Sequence, residues 1–363
     1  MAAGGTGGHI FPALAVAEEL RARWTSQGLG SGEIQFLGTG RGLEARLIPA
    51  AGFALRTVAA AGLVGIGGRK RLHNLMVLPR TFFQTARVLR DFRPSVVVGM
   101  GGYLAGPALL EAALEDIPTL LIEPNAIPGF TNRALAPLVR LAALGFEETA
   151  RFYGTRARVT GQPVRRAFYS VPRKEHQPPY TLLILGGSQG SAAINRCVTG
   201  SLGIFRGKPL GFIHQSGERD YNTVRQAYGE MGISAEVHPF LDNVAEALAR
   251  ADLVISRSGA SAVAELAAAG RASILVPFAA AAEQHQTANA RVFERVGAAR
   301  VVLQSELTPE RLVTEVEDLL GRPERLAAME QAARGLARPD AASRIADLIE
   351  GLVQGAASPT HAG

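Results

Sequence analysis

The sequence predicts an α/β protein of two domains, each a parallel sheet covered by helices. Three observations carry that expectation. Short apolar runs rich in β-branched residues and ending in glycine alternate with longer helical patterns along the chain. The length of 363 residues suits two domains, at roughly 150 residues each. A glycine-rich turn opens a helix near the start of each half: GGTGGH at Gly4 to His9, and GGSQGS at Gly186 to Ser191.

Taken in order, strands are expected in the first half at 33–37, 56–60, 95–99, 119–123, 141–144 and 158–160. In the second they fall at 181–185, 211–215, 235–239, 253–256, 273–276 and 300–303. Residues 11–23 read as the helix opened by the first turn. A closing helix at 341–353 carries Ile345, Leu348, Ile349 and Leu352 on one stripe. The stretch 171–180, VPRKEHQPPY, has three prolines and no periodicity and reads as a linker. The domains are expected at 1–163 and 164–338, with helix 339–354 packing back on the N-terminal domain and a frayed tail at 355–363. Only Met1 to Ala3 precede Gly4. The strand that ordinarily feeds such a turn is therefore expected to be missing or vestigial, with truncation the favoured explanation.

Composition removes several classes. The single Cys197 cannot form an internal disulfide, and Cys and His are too sparse for a zinc framework, which points to a reducing compartment. The longest uncharged candidate for a membrane span, 94–110, is broken by four glycines and Pro107 and falls short of the ~20 residues a bilayer needs. The start lacks a basic leader and meets Glu18 and Glu19 early. A formal charge of +6 favours an anionic partner without choosing among nucleic acid, acidic lipid and a phosphorylated substrate.

The motifs narrow the choice. Amides at a helix N-terminus bind anions, and glycines let a phosphate approach closely. Neither glycine-rich turn is followed by a Lys-Ser/Thr pair, and Gly38-Thr39-Gly40 lacks the acid that would hold an adenosine ribose, so an ATPase or NAD enzyme is disfavoured. In the cluster 257–289, Ser256 or Ser258 is expected to cap a helix whose first turn holds Ala260 and Ser261. Glu265 lies one turn further, placed to accept two hydrogen bonds from a ribose diol. After VPF, a polar burst of Glu283, Gln284, His285, Gln286 and Asn289 reads as a loop that meets sugar hydroxyls. GMGGYLAGP, IEPNAIPG and GQPVR each follow a strand of the first half, which would gather Tyr103, Glu123, Asn125 and Arg165 at one sheet edge.

Together these segments, with LGGSQGSAAIN, HQSG, PFLDN and HQTANA, resemble the MurG family of peptidoglycan N-acetylglucosaminyltransferases over residues 4 to about 340. The resemblance implies a GT-B architecture, two Rossmann-like domains with parallel sheets facing across a cleft. It implies UDP-N-acetylglucosamine as donor and inverting transfer to the 4-hydroxyl of the N-acetylmuramoyl group on undecaprenyl pyrophosphate. By motif, donor contacts fall on Thr6, Gly7, Gly8, Asn125, Arg165, Ser188, Leu241, Ala260, Ser261, Glu265 and Gln286. Leu241 would read the uracil edge through its backbone, Glu265 the ribose, Ser188 the diphosphate, and Gln286 with Asn125 the sugar. His9 resembles the family's candidate base or acceptor-positioning residue. Gln162 and Pro124 depart from the pattern, which usually has Asn and Gln there.

Inversion needs a base near the acceptor hydroxyl and a means of stabilising the departing UDP. His9 is the first choice of base because imidazole titrates near neutral pH, and Glu123 is the alternative. No Asp-x-Asp motif occurs, so no cofactor is required by the sequence, and the helix N-terminus after GGSQG, helped by Arg165, can take the leaving charge. The lipid acceptor demands a membrane surface. Between Arg41 and Val98 lie ten basic and two acidic residues, with Arg69, Lys70, Arg71 and Arg80 beside Leu75, Phe82 and Phe83. That mixture suits peripheral binding to anionic lipid at the cytoplasmic face of a bacterial membrane. The expected partners are thus the UDP sugar, the undecaprenyl-linked muramoyl peptide and anionic lipid. A UDP-N-acetylglucosamine 2-epimerase is the competing reading, and a non-catalytic nucleotide- or lipid-binding protein a third. Nucleic acid is weakest, since the arginines do not alternate with stacking aromatics.

Overall fold

The computed structural model describes residues 1–4, 7–27, 32–40, 42–59, 68–187, 189–278 and 284–357, without the side chains at 68–78, 103, 356 and 357. The chain divides into two units, Met1–Arg165 with Arg338–Gly363, and Arg166–Ala337.

The first unit runs α1 (Gly7–Ser26), β1 (Gln35–Gly38), α2 (Glu44–Ala50), β2 (Ala54–Thr57), α3 (Gly68–Phe92), β3 (Val97–Gly99), α4 (Gly102–Leu114), β4 (Thr119–Glu123), α5 (Phe130–Leu135), β5 (Leu141–Leu144) and β6 (Ala157–Val159). All paired strands are parallel, β1 with β2 and β3 through β6 in order. The strand expected to be missing or vestigial is present as a short segment outside any named strand. Ala2 bridges Leu37 of β1 and Gly99 of β3, both in parallel. Its N–H donates to Val98 O at 2.7 Å and its carbonyl accepts from Met100 N at 3.0 Å, while Leu37 N donates to Met1 O at 2.8 Å. Three residues thus join the two ladders into one order, with β2 and β1 on one side and β3 to β6 on the other. On α1, Ile10, Ala13, Leu14, Ala17 and Leu20 recur at helical spacing and pack with Phe36, Val98, Leu120 and Ile122.

The second unit runs α6 (Arg166–Tyr169), β7 (Tyr180–Leu185), α7 (Ala192–Phe205), β8 (Leu210–Gln215), α8 (Tyr221–Glu230), β9 (Ala235–His238), α9 (Val244–Arg250), β10 (Leu253–Ser256), α10 (Ala260–Ala269), β11 (Ser273–Leu275), α11 (Gln284–Arg295), β12 (Ala299–Val301), α12 (Pro309–Leu320) and α13 (Pro323–Leu336). Its sheet has the order β12-β11-β10-β7-β8-β9, all parallel. Leu182, Leu183 and Ile184 are buried in succession, as are Leu253, Val254 and Ile255, because helices cover both faces. The last helix, α14 (Ala341–Ala357), belongs to the first unit and adds Ile345, Ala346 and Ile349 to its core.

One expectation is corrected here. The proline-rich stretch 171–180 is no free linker but is tied down inside the second unit. Buried Asp252 accepts from Lys174 Nζ at 2.5 Å, from His176 Nδ1 at 3.0 Å and from Thr181 N at 2.7 Å. His176 Nε2 lies 3.5 Å from Glu330 Oε1, and Arg271 reaches the same oxygen at 3.3 Å. The chain crosses between units earlier, at Arg165–Arg166.

Candidate active site

Parallel sheets open a crevice where the strand order reverses, beyond the carboxyl ends of the strands. In the first unit that point lies between residues 1–3 and β3, and the helices that follow these two segments are α1 and α4. Their N-termini meet there. His9, in the first turn of α1 and half-buried, stands against Gly102, so that a Cβ built on Gly102 would lie 3.4 Å from His9 Cε1. Gly102 has φ +74° and Gly101, the N-cap of α4, φ +84°, values that favour glycine. His9 Nδ1 lies 3.3 Å from Gly4 O. A carbonyl only accepts, so in this contact Nδ1 is the donor. Gly7 leaves room for the Phe11 ring, 3.0 Å from a Cβ built on it, and the Arg165 guanidinium carbon sits 4.8 Å from the centre of that ring. Gly7, Gly8, His9 and Arg165 thus share one end of α1. Thr6 lies outside the described residues.

In the second unit the order reverses between β7 and β10. The turn after β7 is tight, since a Cβ on Gly186 would meet Ser191 N at 2.7 Å. Ser191 caps α7 by accepting from Ile194 N at 3.3 Å. Gly190, at φ +72°, lies against the loop after β8, a Cβ on it falling 2.1 Å from Ser216 O. Ser188 itself is outside the description. After β10, α10 begins with Ala260 and Ser261 in its first turn and half-buried Glu265 in its second, and the half-buried Leu241 follows β9. The N-cap of α10 is Gly259, not Ser256 or Ser258. Those hydroxyls turn elsewhere, Ser256 Oγ donating to Arg257 O and Ser258 Oγ to Gln286 O, each at 2.9 Å. The segment expected as a sugar-reading loop is helical from Gln284, so His285, Gln286 and Asn289 ride on α11. Glu283 is outside the described residues.

Comparison with known proteins fits this two-unit layout. The description "Glycosyltransferase family 28 N-terminal domain" matches residues 1–143, and "Glycosyltransferase family 28 C-terminal domain" matches 181–345. The chain belongs to glycosyltransferase family 28. A Solibacter usitatus (strain Ellin6076) protein named UDP-N-acetylglucosamine--N-acetylmuramyl-(pentapeptide) pyrophosphoryl-undecaprenol N-acetylglucosamine transferase is 44% identical over 353 residues, 96% of this chain and 94% of that protein. A Myxococcus xanthus (strain DK1622) protein of the same name is 42% identical, over 97% and 92%. Among solved structures, Acinetobacter baumannii MurG aligns with a TM-score of 0.76 at 33% identity, covering 97% of this chain and 98% of that one. A putative UDP-N-acetylglucosamine 2-epimerase from Listeria monocytogenes aligns at TM-score 0.67 over 96% and 94%, but at 12% identity it shares the fold alone.

In this family-28 chain Glu123, the alternative base, is placed as a staple. It has no exposed surface, and its carboxylate already accepts four bonds. Oε1 takes Asn125 N at 2.9 Å and Asn125 Nδ2 at 3.1 Å, and Oε2 takes Gly129 N at 3.2 Å and Asn132 Nδ2 at 2.8 Å. Burial pushes its carboxyl above the ordinary range, while these donors pull it back. With each oxygen accepting twice, no lone pair is left for a substrate hydroxyl. Asn132 then abuts Gly101, 2.9 Å from a Cβ built there, so the staple reaches the N-terminus of α4. Sequence reasoning missed Asn132; its signal was a lone amide on α5, one turn beyond the PNAIPG segment.

Of the residues expected to face lipid, Arg69, Lys70, Arg71 and Leu75 lie on α3 with side chains outside the description, as does Tyr103 on α4. Phe82 is half-buried, and its neighbour Phe83 is the exposed one, at 68%. Leu114 and Phe130, which the sequence reading did not single out, are exposed at 73% and 82%. Among the described residues no helix is long and apolar enough to cross a membrane.

Proposed function

We propose that the protein transfers N-acetylglucosamine from UDP-N-acetylglucosamine, with inversion, to the 4-hydroxyl of the N-acetylmuramoyl group of an undecaprenyl-pyrophosphoryl muramoyl pentapeptide. The observation that carries this reading is likeness along nearly the whole chain, 44% identity over 96% of it, to a protein named for that transfer. The geometry supports a division of labour. The second unit supplies the nucleotide half: backbone at Leu241 for uracil, Glu265 for the ribose, the N-terminus of α7 for the diphosphate, Gln286 for the sugar. The first unit supplies the base and an anion site made by two helix N-termini, with Arg165 as a fixed cation beside α1.

The acceptor oxygen attacks the anomeric carbon on the face opposite UDP. The new C–O bond forms as the bond from that carbon to UDP breaks, both of its electrons leaving on the β-phosphate. The hydroxyl proton passes to the imidazole of His9. The N–H groups opening α7 stabilise the charge that builds on the leaving phosphate.

A lipid acceptor calls for a membrane-facing surface, and we assign it to the first unit at the cytoplasmic face of the membrane. Exposed Phe83, Leu114 and Phe130 lie on α3, α4 and α5, which pack in succession, and exposed Arg80 and Arg87 of α3 flank Phe83 in sequence. Vesicle co-sedimentation checks this: binding should rise with the anionic lipid fraction, and Phe83→Ser with Phe130→Ser should weaken it about ten-fold. Binding indifferent to both changes counts against the assignment.

The catalytic reading is tested by incubating the protein with UDP-N-acetylglucosamine and the lipid-linked acceptor. UDP released only when acceptor is present supports transfer; epimerised free sugar nucleotide without acceptor would replace it with the 2-epimerase reading, which now rests on shared fold alone.

A further inference from the structure

The loops after β10 and β11 are tied together by one buried guanidinium. Arg257 is 9% exposed. Its Nη1 donates to the carbonyls of Val276 at 3.0 Å and Pro277 at 3.2 Å, and one Nη2 bond reaches Gln304 Oε1 at 2.8 Å. Both carbonyls lie just past the end of β11, where the ladder no longer supplies donors, so a buried donor is what lets the chain turn there. The guanidinium carbon also sits 5.2 Å from the Phe278 ring centre. From Phe278 the chain of contacts runs to the sugar end of the site, since Phe278 N donates to Gln286 Oε1 at 3.1 Å. Ser258 Oγ donates to Gln286 O at 2.9 Å and buried Asn289 Nδ2 to Ser258 O at 3.1 Å, closing the frame from the other side.

We propose that Arg257 is a positioning residue that sets donor-sugar specificity. By fixing the course of Val276 to Phe278, it holds the Phe278 N–H on the amide oxygen of Gln286 and so fixes which way that amide is turned toward the sugar. The inference rests on the reading that the second unit binds a UDP sugar with Gln286 at the sugar. It makes no demand on nucleotide binding, which falls to Leu241, Glu265 and the α7 N-terminus.

The test uses the full chain with Arg257→Met, Arg257→Lys and Gln304→Ala, the last removing only the outer support of the guanidinium. Three quantities are read: kcat/KM for UDP-N-acetylglucosamine, kcat/KM for its 4-epimer UDP-N-acetylgalactosamine, and the competitive Ki of UDP. In Arg257→Met the first should fall about ten-fold or more and the preference over the 4-epimer should shrink about five-fold, with the Ki of UDP within about two-fold of wild type. Arg257→Lys should not restore the preference, because one ammonium cannot span two carbonyls and an amide. Gln304→Ala should move the same way by less, and carries the test should Arg257→Met fail to fold. An unchanged preference in the folded variants, or a UDP Ki that rises in step with the loss, overturns the proposal. A wild-type chain that neither binds UDP nor distinguishes the two donors overturns the reading of the site itself, and Arg257's role with it.

Discussion

At the scale of single residues, the sequence offered His9 as first choice of base and Glu123 as the alternative, and the structure sets the two in different surroundings. His9 stands half-buried at the meeting of two helix N-termini, whereas Glu123 is enclosed and spends both oxygens on N–H donors at positions 125, 129 and 132. Two substitutions separate the roles. His9→Ala should lower kcat by about 10² to 10⁴ while leaving the Ki of UDP and the melting of the protein nearly unchanged. Glu123→Gln turns an NH₂ toward groups that themselves donate, and should destabilise the first unit by about 1–3 kcal/mol. Its residual activity should keep the wild-type pH profile, because the base is untouched. Near-normal turnover in His9→Ala, or loss of the basic limb in Glu123→Gln, would reverse the assignment. No sequence pattern could make this distinction, since it depends on which of two acid–base groups finds its donors inside the fold.

At the scale of elements, the strands were legible because parallel strands bury both faces and so appear as short apolar runs. β4, β5 and β10 begin and end where the pattern put them. What was not legible depended on partners far away in sequence. The stretch 171–180 looked like a linker because nothing local orders it, yet His176 finds Asp252 across 76 residues and Glu330 further still. The start of α11 looked like a loop because a polar burst after alanines carries no helical apolar stripe. The anchoring of 171–180 has a measurable signature. Hydrogen bonds to Asp252 and Glu330 raise the His176 imidazole from 6.5 to about 9, with burial opposing, and Lys174 and Arg271 are the cations that face the same carboxylates. A folded-state value raised above the unfolded one contributes stability that is whole below about pH 6.5 and is lost as pH climbs through about 9. At about 1.4 kcal/mol per pH unit the loss is at most about 3.5 kcal/mol. The urea midpoint of the second unit should therefore fall from pH 7 to 9.5, and His176→Asn should flatten that slope. Parallel pH curves for the two proteins would show that the pair holds nothing in place.

At the scale of the whole molecule, the chain leaves the first unit at Arg165 and returns to it at Arg338, so α14 closes a domain begun more than three hundred residues earlier. Its apolar stripe was readable in the sequence; its destination follows from what it packs on. Ile345 and Ile349 join Ile10, Val16 and Phe36 in one core, and around them Arg23 of α1 reaches Asp347 at 2.6 Å and Glu350 at 3.0 Å, while Trp24 Nε1 donates to Glu350 at 3.2 Å. The ion pairs are partly solvated and contribute little, so the attachment is mainly hydrophobic. Ile345, with no exposed surface, is therefore the residue to remove. Ile345→Ala should cost about 2–5 kcal/mol, the sum of lost transfer energy and the cavity left behind. The cost should fall on one unit only: the first unit should unfold at lower urea while the UDP affinity, proposed above for the second, keeps its wild-type value up to that unit's own transition. Loss of UDP affinity in step with the first unit would mean that nucleotide binding draws on residues of both, and that the division of labour argued from the two sheets is wrong.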